Sequence, residues 1–219
     1  MLISLIGMSG SGKSYWSEKL AWHGFKRFCL DALITQKLSD KLEPEDLNPL
    51  TLGEWMGFPF QDGYQERAEL YLSSEKQLMA EILDWIDENA CAGSDANVVL
   101  DTTGSVIYTG ENLLARLSSL TTIVYFAVPA VIREAMLRQY LSNPRPVLWR
   151  GIFNIEPGET VEEALFRSYN ALLDLREVVY RELADVEIDY FKRNNPDFKI
   201  CDFLEIAAKP EKKYRCVST

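Results

Sequence analysis

The segment Gly7-Met8-Ser9-Gly10-Ser11-Gly12-Lys13-Ser14 satisfies every fixed position of the G-x-x-x-x-G-K-[ST] pattern. It lies between a short apolar run, Leu2 to Ile6, and a longer amphipathic stretch, Lys13 to Trp22. That context is what the pattern needs. A strand delivers the loop, glycines let the backbone approach an anion, and a helix N-terminus adds free N–H groups and positive potential. The pattern predicts a triphosphate cradle at Ser9, Gly10, Ser11, Gly12, Lys13, Ser14 and Tyr15, with Lys13 reaching the β and γ phosphates and Ser14 available to Mg²⁺.

The rest of the chain continues the same alternation. Phe25 to Leu30 reads as a second strand, and Asp31 to about Leu42 as a helix. Asn97 to Leu100, Thr122 to Ala127 and Val186 to Ile188 read as further strands, with helical patterns at Gln65 to Asn89, Val131 to Leu141 and Val161 to Leu183. Strands alternating with longer helices predict an α/β fold, a three-layer αβα sandwich around a five-stranded parallel sheet. Two stretches rich in Pro, Gly and Asn, Glu43 to Gly63 and Ser142 to Gly158, read as loops or flaps. The expected organisation is one domain over 1–219, with an insertion for a substrate at about 43–90 and a helical lid at about 142–160. The tail from Asn194, with Lys199, Lys209, Lys212 and Lys213, reads as a final helix with a frayed end.

Composition removes several classes of function. A formal net charge of −10 opposes a nucleic-acid surface, which needs clustered Lys and Arg. No window reaches the 18 or so apolar residues of a membrane span, so a cytoplasmic chain, monomeric or weakly dimeric, is expected. The 4 cysteines, Cys29, Cys91, Cys201 and Cys216, have no paired metal-ligand spacing and are expected as reduced thiols. His23 is the only histidine, which rules out a Ser-His-Asp triad and a multi-histidine metal site. Acid–base work falls to carboxylates.

In open parallel sheets ligands bind beyond the carboxyl ends of the strands, so Asp31 and Asp101, closing the second and third predicted strands, are the first candidates. Asp101 follows Val98-Val99-Leu100 in a Walker-B-like pattern suited to Mg²⁺, or else forms a turn before Thr102-Thr103-Gly104. Asp31 is suited to a substrate hydroxyl, to capping the helix that follows, or to both. Glu75 falls in the apolar stripe Ala68, Leu72, Met79, Ile82, Ile86, on the i, i+4 row of Arg67 and Tyr71. That placement predicts an ion pair or a substrate clamp. Arg176 sits likewise in the stripe Leu165, Tyr169, Leu172, Val179, Leu183, where it must meet a protein carboxylate or an incoming anion. Arg133, Arg138, Arg145 and Arg150 cluster around Ser142 to Pro146. Arg145 is the candidate to neutralise charge on a transferred phosphoryl group, and Arg133 and Arg138 read as solvated helix charge.

These residues resemble the shikimate kinase family of P-loop kinases, motif by motif and in order, to about Asp189. Gly7 to Ser14 resembles that family's phosphate loop, and Asp31-Ala32-Leu33-Ile34 the segment whose aspartate contacts substrate hydroxyls. Thr103-Gly104-Ser105 stands at its glycine triplet, and Arg145-Pro146-Val147-Leu148 resembles its lid. Leu175-Arg176 through Tyr180 resembles the segment whose arginine binds the substrate. Departures are specific: Cys29 stands at an aspartate near Mg²⁺, Leu72 at a carboxylate-binding arginine, and only Gly104 is left of the triplet. The resemblance implies ATP and Mg²⁺ as cofactors, catalysis by Lys13, Asp31 and Arg145, and Mg²⁺ held by Ser14 and Asp101. It further implies a small-molecule acceptor held by Asp31, Arg67, Glu75, Gly104 and Arg176, at a site altered from that for shikimate. A weaker similarity, through the loop and Gly57 to Asp62, is to gluconate kinases. A nucleotide kinase and a noncatalytic nucleotide-binding sensor are the alternatives.

Overall fold

The computed structural model describes residues 1–43, 49–91 and 96–208, the side chains of Ala90 and Cys91 excepted. Lys209, Lys212, Lys213 and Cys216 lie outside it. Five strands, β1 (Leu2–Ile6), β2 (Lys26–Cys29), β3 (Val98–Asp101), β4 (Thr122–Phe126) and β5 (Val186–Ile188), form one parallel sheet in the order β2-β3-β1-β4-β5. The chain winds outward to β2, returns through β3, and crosses β1 to β4. β1 thus ends between oppositely directed connections, at the switch point where open α/β sheets bind ligands.

Strand alternation divides the core into two. Ile3, Leu5, Val99, Val124, Phe126 and Ile188 face one side, where Trp16 and Leu20 of α1 (Lys13–Trp22) and Phe203 of α10 (Ile200–Ala207) pack on them. Ile6, Val98, Leu100, Ile123 and Tyr125 face the other side. There they meet α2 (Leu30–Lys37), α5 (Tyr64–Cys91), α6 (Glu111–Leu120), α7 (Ala130–Ser142) and α8 (Val161–Leu183). Apolar side chains on both faces account for the near-continuous hydrophobic reading of these strands. Three layers result.

Several boundaries differ from expectation. β2 stops at Cys29 and α2 starts at Leu30, so Asp31 lies in the first helical turn and Cys29 holds the N-cap position. The expected helix to Leu42 breaks into α2 and a turn, α3 (Ser39–Leu42). The stretch to Gly63 contains α4 (Leu52–Met56), whose Thr51/Glu54 capping box satisfies N-terminal donors in both directions. A 3₁₀ turn (Val106–Tyr108) and α6 fill a region assigned no structure from sequence, and a short α9 (Tyr190–Arg193) follows β5. Between α7 and α8 the backbone carries no helix, so the lid stretch is an irregular strap between two helices.

That strap is pinned. The Tyr64 hydroxyl donates to Val147 O at 2.7 Å and accepts from the Trp149 N–H at 3.0 Å. Gly53 of α4 lies so close that a Cβ there would stand 1.9 Å from Pro144 O. No helix among the described residues is long and apolar enough to cross a membrane, and Cys29 and Cys201 are free thiols.

Candidate functional site

At the end of β1 the chain enters the loop through glycines in left-handed conformations, Gly10 at φ 83° and Gly12 at φ 97°. Gly12 occupies the N-cap of α1 without a side-chain cap, and the first turn of that helix carries no acidic residue. The Ser11 N–H turns back to Met8 O and the Trp16 N–H to Gly12 O. The N–H groups of Gly10, Gly12, Lys13, Ser14 and Tyr15 have no acceptor among the described residues. Five converging donors at an uncapped helix start form an anion cradle, and ATP phosphates fit it. Lys13 is 6% exposed, with Nζ donating to Gly7 O (2.7 Å) and Met8 O (3.0 Å). Burial lowers its pKa, with Asp101 and Asp31 pulling the other way.

Asp31 faces this cradle from the end of β2. The residue is solvent-open, yet its carboxyl is crowded by protein on several sides, an arrangement proper to a recess rather than a convex surface. Desolvation raises its pKa above the ordinary value, while Lys13, a hydrogen bond from Tyr71 and, more weakly, Arg145 pull it down. The Tyr71 hydroxyl donates to Asp31 Oδ1 at 3.0 Å. Behind Tyr71, fully buried Glu75 accepts hydrogen bonds from the Thr103 hydroxyl and, at 2.6 Å, from the Ser105 hydroxyl. Burial pushes the Glu75 carboxyl up to about 7, those two hydroxyls opposing it. A polar ladder therefore runs from the open carboxylate of Asp31 into the core.

Asp101 closes β3 in register with Cys29 of β2. Its Oδ2 accepts from the Ser17 hydroxyl at 3.0 Å and from Arg27 Nη2 at 3.2 Å, and the residue is 3% exposed. Ser14 stands exposed at the head of α1. For Mg²⁺ the fit is uneven. The Ser14 hydroxyl is open to an ion on the phosphates, whereas Asp101 Oδ2 is engaged by Arg27, a guanidinium it shares with Glu18, which leaves Oδ1 for a water-mediated contact. Beside it the Cys29 thiol is pushed up in pKa, mainly by burial, and stays protonated.

The arginines separate sharply. Arg145 makes no hydrogen bond or ion pair among the described residues. Arg27, Arg67, Arg116, Arg133, Arg138, Arg150, Arg167, Arg176, Arg181 and Arg193 are all engaged. Arg145 lines a small pocket with Ser9 and Gly10 of the loop and with Gln139, Tyr140 and Tyr169. Arg133, expected as solvated charge, joins Asp174 and Glu177 and so clamps α7 to α8, while Arg138 pairs with Glu134 on the surface.

Two expectations are corrected. Arg67 forms no ion pair with Glu75; its Nε donates to Met56 O and its Nη2 to Asp62 O, each at 3.0 Å, which staples the 57–63 turn. The helical row was right, but a long side chain at the start of α5 reaches back to its own entry loop. Among the described residues Arg176 meets no carboxylate. At 1% exposure it donates to Leu148 O (2.6 Å), Gly104 O (3.0 Å) and the Tyr108 hydroxyl (3.3 Å). Backbone carbonyls there take the place of a counter-ion. Gly104 is hemmed in by the loop, a Cβ there falling 3.1 Å from the Ser9 N.

Sequence reasoning missed Arg193. Its Nε donates to Ser11 O at 3.2 Å and Nη1 to Ile188 O at 2.8 Å, so it ties the phosphate loop to the end of β5. Burial lowers its pKa to about 10. It also missed Tyr64 and Gly53, which seat the strap carrying Arg145. No local signal marks any of these, since each acts on a segment distant in sequence.

No protein-family model matches this sequence, and no curated protein matches it. Among solved structures, a shikimate kinase from Acinetobacter baumannii in complex with shikimate superposes with a TM-score of 0.54 at 20% identity, covering 85% of this chain and 81% of its own. A shikimate kinase from Bacteroides thetaiotaomicron gives 0.52 at 16% identity, covering 94% and 93%. The chain has a shikimate kinase-like fold.

Proposed function

We propose that this chain is an ATP-dependent phosphotransferase that moves the γ-phosphoryl group onto a hydroxyl of a small polar metabolite. The observation that carries the reading is the position of Asp31, an open carboxylate coupled electrostatically to Lys13 of the phosphate loop and to Arg145 of the strap. In that arrangement the loop N–H groups from Gly10 to Tyr15 hold the triphosphate, with Ser9 and Ser11 shaping the turn. Lys13 neutralises charge on the β and γ oxygens, and Arg145 neutralises the equatorial oxygens of the transferred group. Asp31 orients the acceptor hydroxyl and takes its proton as the new O–P bond forms and the bond to the β–γ bridging oxygen breaks, leaving ADP and a phosphate monoester. Mg²⁺, when held by Ser14 and through water by Asp101, supplies further charge neutralisation on the phosphates. Glu75, Gly104 and Arg176 form the wall behind the acceptor, and Arg67 shapes the entry turn.

The test compares Asp31→Asn with the wild type in the presence of MgATP and a panel of sugars, polyols, nucleosides and hydroxy acids. Nucleotide affinity within a few-fold of wild type with transfer reduced by roughly 10²–10⁴ is expected. Absence of any phosphorylated acceptor from the wild type would sink the reading. A noncatalytic nucleotide sensor is the second reading, favoured by the Arg27–Asp101 ion pair and by Cys29 beside it. It predicts that Asp31→Asn leaves the protein's function intact.

A further inference from the structure

Beside Asp31 the described polar groups Tyr71, Glu75, Thr103 and Ser105 are already engaged with one another or with Asp31. The carboxylate itself has Tyr71 on Oδ1, which leaves Oδ2 open. Behind it stands Glu75, with both oxygens satisfied by Thr103 and Ser105. The position one turn before Glu75 on this face is Leu72, 4% exposed and packed in the core. The cations that act on Asp31 are Lys13 and Arg145, and both belong to the phosphoryl end. Lys13 lies under the loop, and Arg145 faces Ser9 and Gly10.

The remaining guanidinium in reach is Arg176, and it is occupied. Its Nε, Nη1 and Nη2 each hold a protein oxygen, and at 1% exposure a carboxylate cannot reach it without breaking the bonds to Gly104 O and Leu148 O. Arg67 is spent on the 57–63 turn, and Arg150 on Glu69. An anionic acceptor placed with its hydroxyl on Asp31 would bring a second negative charge beside that carboxylate, while the one unpaired guanidinium among the described residues, Arg145, faces the phosphate loop.

From this juxtaposition we infer that the phosphoryl acceptor is an uncharged or cationic hydroxyl compound, a polyol, nucleoside or amino alcohol, and that hydroxy acids are rejected. The inference rests on the phosphotransfer reading and narrows its substrate. An uncharged polyol places one hydroxyl on Asp31 Oδ2 and brings no second negative charge beside it. A cationic acceptor adds attraction to Asp31.

The experiment uses the full chain with Mg²⁺ and a non-hydrolysable ATP analogue, whose own binding is titrated first. Matched pairs sharing their hydroxyls but differing in charge are then titrated calorimetrically: glycerate and glycerol, gluconate and glucitol, shikimate and its methyl ester, together with adenosine and ethanolamine. The expected result is that at least one uncharged or cationic probe binds, and that within its pair the acid binds roughly tenfold or more weakly. Asp31→Asn should shrink that gap while the analogue still binds. An acid that equals or beats its uncharged partner overturns the acceptor class while leaving phosphotransfer standing. So does the failure of every uncharged and cationic probe in protein that binds the analogue. If the analogue itself fails to bind, the phosphotransfer reading falls and takes this inference with it.

Discussion

Tyr71, on the long helix α5, donates its phenolic proton to Asp31 Oδ1 across 3.0 Å, joining that helix to the first turn of α2. The bond favours the carboxylate of Asp31 against the burial that opposes it. Tyr71 itself is buried, and its pKa is held well above the ordinary value by desolvation first and then by the Asp31 charge, so it stays a donor at any working pH.

Tyr71→Phe therefore removes a donor from the ionised form of Asp31 and raises the Asp31 pKa further. A base that must be deprotonated loses activity as pH falls through its pKa, so the acid limb of the kcat profile should move to higher pH. Transfer at neutral pH should fall roughly tenfold, as expected for loss of a hydrogen bond to a charged group. A pH profile with an unmoved acid limb would show that Tyr71 does not tune Asp31.

Glu75 makes stability depend on pH. Its folded pKa of about 7 lies above the ordinary 4.5. The folded state therefore binds this proton more tightly than the unfolded chain does. The resulting stabilisation is complete below about pH 4.5 and is lost as pH rises through 7, in total about 3 kcal/mol. Urea midpoints of the wild type and Glu75→Gln at pH 5 and pH 8 should differ accordingly, with the variant losing less on going to pH 8.

Arg145 and Arg176 should behave oppositely. Arg145 has no hydrogen-bond or ion-pair partner among the described residues, so Arg145→Ala should leave stability within about 0.5 kcal/mol of wild type while lowering transfer by roughly 10³-fold. Arg176→Leu orphans Leu148 O and removes one of two donors to Gly104 O, for a loss of about 2–4 kcal/mol. Equilibrium unfolding beside single-turnover transfer separates the two.

Gly53→Ala tests the seating of the strap. A Cβ there would stand 1.9 Å from Pro144 O and 2.7 Å from the Arg145 N, backbone atoms that yield only if the strap moves. Overpacking of this kind costs about 1–3 kcal/mol. Transfer should fall with Arg145 displaced, while nucleotide affinity, set by the loop across the site, should hold within a few-fold. Unchanged transfer would mean that the strap does not need this contact.

Local pattern determined the sheet, its flanking helices and the phosphate loop. A two-residue alternation, a helical period and the glycine spacing at Gly7, Gly10 and Gly12 are each written within a few consecutive residues, and the forces that read them are equally local. Asp31 and Asp101 were legible for the same reason, as carboxylates at the ends of apolar runs. The short elements α4 and α9 were obscured by polar, turn-like sequence around them.

What tertiary structure alone decided is the state of each charge. Glu75 finds its hydroxyls 28 and 30 residues away, and Arg176 finds its carbonyl partners 28 and 72 residues away. A helical stripe says that such a side chain points inward, but its partner comes from whichever loop is packed opposite. Because carbonyls can accept the hydrogen bonds of a buried guanidinium as a carboxylate can, sequence could not tell a locked Arg176 from an open one. Arg145 is the converse case. Its freedom follows from the contacts of Gly53 and Tyr64, which hold its strap beside the loop without giving the side chain a partner.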